Sequence, residues 1–246
     1  MNKDKDFLGT EPVGKLMFRL ALPTITAQLI NMLYNIIDRI YIGHIPGNGA
    51  LALTGVGVCM PLIMIISAFA ALVGGGGAPH ASIAMGKNDL NTAEHILGNC
   101  FFLQILISII LTVILLFGNR TFLLAFGASE NTIEYAVNYM NIYAVGTIFV
   151  QLTLGMNMFI TTQGFAKTGM LSVLIGAVMN IVLDPLFIFA FHLDVAGAAI
   201  ATAHSIWVSE VLRLPQFCHR QSPASGFFLS FAEKRRSCTS GKRISS

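Results

Sequence analysis

Residues 20–43 read LALPTITAQLINMLYNIIDRIYIG. The run is long enough to cross a bilayer, for which about 20 residues suffice, yet Asp38 sits inside it. A second run, LSVLIGAVMNIVLDPLFIFAF at residues 171–191, carries Asp184 in the same way. A charge in a membrane helix costs about 3 kcal/mol on insertion scales and more in simulations. Such residues face a bundle interior or a water-filled cavity, and by default they point to ion or substrate handling. The two acids therefore set the reading: an all-α integral membrane protein whose working groups lie inside the bundle.

Composition agrees. The chain has 246 residues, 54% hydrophobic and only 11% charged, with mean hydropathy +0.71. A soluble domain carries about 25% charged residues, so this chain lacks the polar surface to cover a globule. In lipid every backbone group needs an internal partner, so the apolar runs are expected to be helices. They fall at about 16–41, 50–73, 96–117, 133–160, 170–191 and 195–208, a bundle of five to six transmembrane helices over 16–208. A cytoplasmic segment, 1–15, precedes them. The sixth run is short for a full crossing, and GGGG at 74–77 is expected to be a flexible end to the second. Residues 209–246 form an atypical polar and basic tail without helical period. Its break falls inside an apolar segment, which predicts a truncated, frameshifted end rather than a regulatory tail.

The charge balance does not point to nucleic acid. The net charge is +3, but seven of the fifteen Lys and Arg lie in the last 36 residues. The four cysteines and the scattered histidines show no metal-ligand spacing. No nucleophile and base stand together, so an enzyme is not expected. Nor is a cofactor. Orientation follows from Lys and Arg in the short loops. With the N-terminus in the cytoplasm, Lys3, Lys5, Lys15, Arg19, Lys87 and Lys167 lie inside, and only Arg39 and Arg120 outside. A multi-pass protein of the inner or plasma membrane is expected, with membrane lipid as its first partner.

The first span carries a pattern as well as an acid. Thr24, Gln28, Asn31, Asn35 and Asp38 are spaced 4, 3, 4 and 3. At 100° per residue they fall within about 80° of one another, a narrow polar stripe on an apolar helix. Tyr34 lies one turn before Asp38, within reach of a hydrogen bond to it. A row of amides and hydroxyls would suffice to glue helices together; the Asp is the costly addition. An alternative for Asp38 is an interfacial pair with Arg39.

The fifth span repeats the theme. Asn180 and Asp184 are one turn apart and share a face, and Pro185 frees a carbonyl one turn earlier. Carboxylate, amide and carbonyl oxygens suit a small cation. Depth ties the spans together. At 1.5 Å per residue, Asp38 lies about 27 Å from an inner boundary near Leu20, and Asp184 about 24 Å from one near Thr168. Thr202, on the inward-running sixth span, falls about 10 Å below the outer boundary, at the same level. Gln28, Asn31, Asn35 and Met156 are candidates for a substrate cavity, Met156 as an adaptable contact in the GMNMF patch.

The segments LPTITAQLINMLYNIIDRIYIGH and MNIVLDPLFI, with AK and ML around Ala166 to Leu171 and GAAIAT at Gly197 to Thr202, resemble the multidrug and toxic compound extrusion (MATE) family of antiporters. The likeness covers about residues 10 to 208. It implies one lobe of a two-lobe transporter that exports small organic, often cationic, drugs in exchange for Na⁺ or H⁺. By resemblance, Asp38, Asn180, Asp184 and Thr202 form the cation site, with Tyr34 beside it. A second lobe, or a second copy of the chain, would complete the cavity. The alternatives are a half-size subunit that dimerises and a relative of the lipid-linked oligosaccharide flippases. The latter need cationic residues facing a pyrophosphate, which these spans hardly offer.

Overall fold

A computed structural model describes residues 12–220; the expected N-terminal segment through residue 11 and the tail beyond residue 220 lie outside the described residues. Six α-helices follow one another: α1 Val13–Gly43, α2 Gly49–Gly86, α3 Leu90–Ala125, α4 Ile133–Thr162, α5 Ala166–Pro185 and α6 Asp194–Arg220. A π-helical turn, Leu186–Ala190, extends α5. There is no strand among the described residues. Five helices, α1 to α4 and α5 with its turn, are long and apolar enough to cross a membrane.

The helices overrun the apolar runs that announced them. The tetraglycine at 74–77 does not loosen the end of α2: the helix continues through it, and through Pro79, to Gly86. Glycine is a poor helix former in water. In lipid a broken helix would leave bare N–H and C=O groups, so the helix persists. The glycines also permit close packing. A Cβ on Gly74 would come 2.8 Å from the carbonyl oxygen of Gly155 on α4, so the two backbones meet where a side chain would stand. Helix α3 begins earlier than expected, at Leu90. Its N-cap is Asp89, which accepts a hydrogen bond of 3.1 Å from the Thr92 backbone N–H. Hydrogen bonding from Thr92 holds the Asp89 carboxyl below the usual carboxylate range. Helix α6 runs past Val208 to Arg220, so the helix does not stop where its apolar character fades.

Packing is uneven. Helices α2, α3 and α4 form a close trio, α6 lies against α4 and α5, and α1 lies mainly against α5, meeting α2 and α6 only sparsely. The main core joins Val56, Cys59, Leu62 and Ile66 of α2 to Ala136, Met140 and Ala144 of α4. Two glutamines reinforce it. Gln151 Nε2 donates to the Ile66 carbonyl at 2.9 Å, and Gln104 Nε2 to the Ala70 carbonyl at 3.4 Å. The outer surface is inverted relative to a water-soluble protein: Phe18, Leu22, Met32 and Leu33 on α1 and Phe102 and Phe117 on α3 are exposed. Because α1 grips α5 but barely touches α2, a gap remains between α1 and α5 on one side and α2 and α4 on the other.

Candidate functional site

That gap is a cavity of about 330 Å³, lined from α1, α2, α4, α5 and α6. The polar stripe of α1 forms one wall of it: Thr24, Gln28, Asn31, Tyr34, Asn35 and Asp38 all line it. Burial grades along this stripe. Thr24 and Gln28 are exposed, Asn31 and Asn35 partly buried, and Asp38 is buried. The cavity is therefore open near the start of α1 and closed near Asp38.

At the closed end the separate spans meet. Asn180, Asp184 and Thr202 are all buried, Asp184 completely. The Asn180 amide nitrogen donates to Asp184 Oδ1 at 3.2 Å and to Thr202 Oγ1 at 3.3 Å. One side chain thus ties α5 to α6, and the one-turn spacing of Asn180 and Asp184 is used as the sequence implies. The Asp38 carboxyl of α1 reaches the Asp184 carboxyl of α5, close enough for a hydrogen bond that one shared proton would make. Pro185 then ends the regular part of α5. The chain turns back through His192 and Asp194, both with positive φ, at 53° and 48°. Gly197 lets α6 start tightly, since a Cβ there would lie 2.8 Å from the backbone of Phe187.

The site has more acceptors than donors. Asp38 Oδ1, Asn180 Oδ1 and Asp184 Oδ2 are buried and accept no hydrogen bond. Buried polar atoms are normally partnered, and each one left bare costs about 1–3 kcal/mol or more when charged. Three bare oxygens in one place, two of them from carboxyls, call for a positive group. A proton or a small cation with hard-oxygen preference fits them.

Other expected residues are sorted by the structure. Tyr34 lines the cavity within electrostatic range of both acids, but the hydrogen bond to Asp38 that the one-turn spacing had suggested does not form among the described residues, and the Asn35 amide donates instead to the Asn31 carbonyl at 2.7 Å. Met156 is not a cavity residue. It is buried with Ala78, Ala81 and Phe159, while its neighbour Asn157, turned 100° around α4, faces the cavity. The Asp38–Arg39 pair does not form among the described residues; Arg39 Nη2 instead donates to Met60 Sδ at 3.0 Å. Sequence reading missed Tyr139 and Tyr143, which stack with ring centroids 6.1 Å apart and line the cavity beside Asp38. Their i, i+4 spacing was the available signal. Ser205 and Ser209, after Thr202 on α6, also line the cavity and were missed.

A helical membrane bundle with a polar cavity and a buried acid pair is the architecture of a membrane transporter. The chain belongs to the MatE family, whose profile matches residues 23–186. Multidrug export protein MepA of Staphylococcus haemolyticus (strain JCSC1435) is 26% identical over 213 residues, covering 87% of this chain and 47% of that protein. A structure described as MATE in complex with MaD3S superposes with TM-score 0.82 at 26% identity, over 90% of this chain and 50% of that one. An outward-facing multidrug resistance MATE family transporter of the MOP superfamily gives TM-score 0.81 at 26% identity, over 90% and 48%. The chain thus spans about half the length of the relatives it matches.

Proposed function

We infer that this chain is one lobe of a multidrug efflux antiporter, coupled to Na⁺ or H⁺ through Asp38, Asn180, Asp184 and Thr202. The observation that carries the reading is the set of three buried, donorless oxygens on Asp38, Asn180 and Asp184. Two buried carboxylates side by side do not both stay charged without a cation. Binding one draws α1 and α5 together, and releasing it leaves a repulsion that separates them. Since α1 has few other packing partners, that repulsion is free to move it. Movement of α1 alters the cavity wall made by its polar stripe, and so couples ion occupancy to drug occupancy.

The cavity suits an organic cation. Its lining holds the Asp38 carboxylate, the rings of Tyr34, Tyr139 and Tyr143, and the flexible Met60 and Met170, with no Lys or Arg among the described residues. Aromatic faces attract cations, and methionine adapts to varied shapes. The same lining disfavours a pyrophosphate-bearing flippase substrate. Export of drugs by the named relatives extends to this chain on that chemistry. A second half-length unit, from another lobe or another copy, would supply the opposite wall.

The test is transport of a fluorescent cationic dye, driven by an imposed Na⁺ or H⁺ gradient in membrane vesicles containing the chain as it assembles there. Asp38→Asn and Asp184→Asn are each expected to abolish gradient-driven transport while leaving membrane insertion intact. Unchanged transport by Asp184→Asn overturns the assignment.

A further inference from the structure

We propose that the cavity selects organic cations bearing N–H groups, such as protonated amines, amidines and guanidinium groups, over cations of equal charge that are fully alkylated. This rests on the reading of the cavity as an organic-cation site and names the class within it. The observation is where the wall's protons point. Thr24, Ser67, Thr161, Ser205 and Ser209 each donate the hydroxyl proton to a carbonyl three or four residues back on the same helix, at 2.8–3.0 Å. The Asn35 amide nitrogen does likewise toward the Asn31 carbonyl at 2.7 Å. All six residues line the cavity, from α1, α2, α4 and α6. Such back-bonding is ordinary for Ser and Thr in helices. What matters is the face on which it occurs: around the cavity it leaves oxygen lone pairs for the ligand.

A hydroxyl has one proton and two acceptor lone pairs. With the proton held by its own helix it can still accept from a ligand N–H, and that bond is added. To donate to a ligand oxygen it must first release the carbonyl, so one bond is exchanged for another and little is gained. Four helices thus bias the wall toward ligands that donate, and Asp38 adds negative charge at the closed end. Gln28, Asn31 and the three tyrosines carry protons of their own, so the cavity also tolerates ligand acceptors. A quaternary cation can satisfy the charge of Asp38 and the aromatic faces, but it covers the hydroxyl oxygens without bonding them. Covering a polar group without a partner is costly.

The test uses two dyes that share one rigid, permanently cationic core. Thionine carries free amino groups where methylene blue carries dimethylamino groups. Apolar burial alone favours methylene blue, because its added methyl groups strengthen transfer out of water, so the two accounts predict opposite orders. Binding is measured by equilibrium dialysis against the purified full chain in lipid nanodiscs, with empty nanodiscs subtracted. Thionine is expected to bind at least about tenfold more tightly, as added hydrogen bonds from a charged donor imply. Ser67→Ala on α2 and Ser205→Ala on α6 each remove one acceptor, and each should weaken thionine about threefold while leaving methylene blue within about twofold. Alanine is the best helix former, so both variants are expected to fold, which helical content checks; should either fail, Ser209→Ala carries the same prediction. The proposal is overturned if methylene blue binds as tightly as thionine, or if the alanine variants leave thionine unchanged or weaken both dyes alike. Binding of neither dye to the unsubstituted chain overturns the organic-cation reading itself, which is a different result.

Discussion

Asn180 uses both amide protons, one toward Asp184 and one toward Thr202, and keeps its oxygen for whatever enters. Its role is therefore larger than its neutral side chain implies. Asn180→Leu removes both bridges and one acceptor, and is expected to weaken cation binding at least about tenfold, since a hydrogen bond to a charged group contributes about 1.5–3 kcal/mol. Thr202→Val spares the bond to the carboxylate and should cost only about threefold, as expected for one neutral hydrogen bond. Equilibrium Na⁺ binding or proton uptake measures both; equal losses would refute the ranking. Asp38, Asn180 and Asp184 were legible in the sequence because a membrane penalises each of them, so their presence demands a reason. Their meeting was not legible. Depth placed them at one level, but only the packing of α1 on α5 brings the two carboxyls together. Met156 shows the converse: composition made it a candidate, and a rotation of one residue around α4 gave the cavity to Asn157.

Helix α2 tests how far local propensity governs structure in lipid. Four consecutive glycines read as a flexible end to the span, yet the helix passes through them because membrane backbone has no other partner. The four are not equivalent. A Cβ on Gly76 meets open space, whereas on Gly74 it would meet the backbone of Gly155. Gly76→Ala is therefore expected to stabilise the fold, by up to about 1 kcal/mol from helix propensity. Gly74→Ala should destabilise it by about 1–3 kcal/mol from overpacking. Thermal melting in detergent should move in opposite directions for the two. If both variants melt alike, close approach of α2 and α4 is not what these glycines serve. Sequence reading gave five to six helices and their order. It missed their ends, because apolar runs mark the lipid-embedded part of a helix and not its capped limits, as Asp89 ahead of α3 illustrates.

For the whole molecule, the exposed apolar faces of α1 and α3 require lipid or another membrane-embedded surface against them. The charge asymmetry of the loops predicts which end faces the cytoplasm. Arg120 lies near the end of α3 and pairs with Glu134 across an exposed 3.3 Å contact, and Lys167 begins α5 at the opposite end. A cysteine introduced at position 120 is expected to react with a membrane-impermeant maleimide added outside intact cells, and one at position 167 only after permeabilisation. The reverse pattern would invert the topology. The family and the architecture of one lobe were both readable from the residues, since the likeness lies in contiguous segments. How the opposite wall of the cavity is supplied is not encoded in any single span, because α1 presents the same apolar face to lipid as to a partner helix.

The pairing of Asp38 with Asp184 also imposes a schedule on synthesis. The helix carrying Asp38 is the least apolar of the five candidate spans, with hydropathy 1.3 against 2.5 and 2.9 for the two that follow, and it is made first. Its acid partner is 146 residues downstream, about 7 to 30 seconds later at translation rates of ~5–20 residues per second. For that interval α1 stands at the translocon with an unpaired carboxyl and its amide row facing lipid or water. Its hold on the bilayer is provisional until α5 emerges. Codon changes that slow elongation between the two acids should therefore lower the yield of inserted protein without altering a single residue of it.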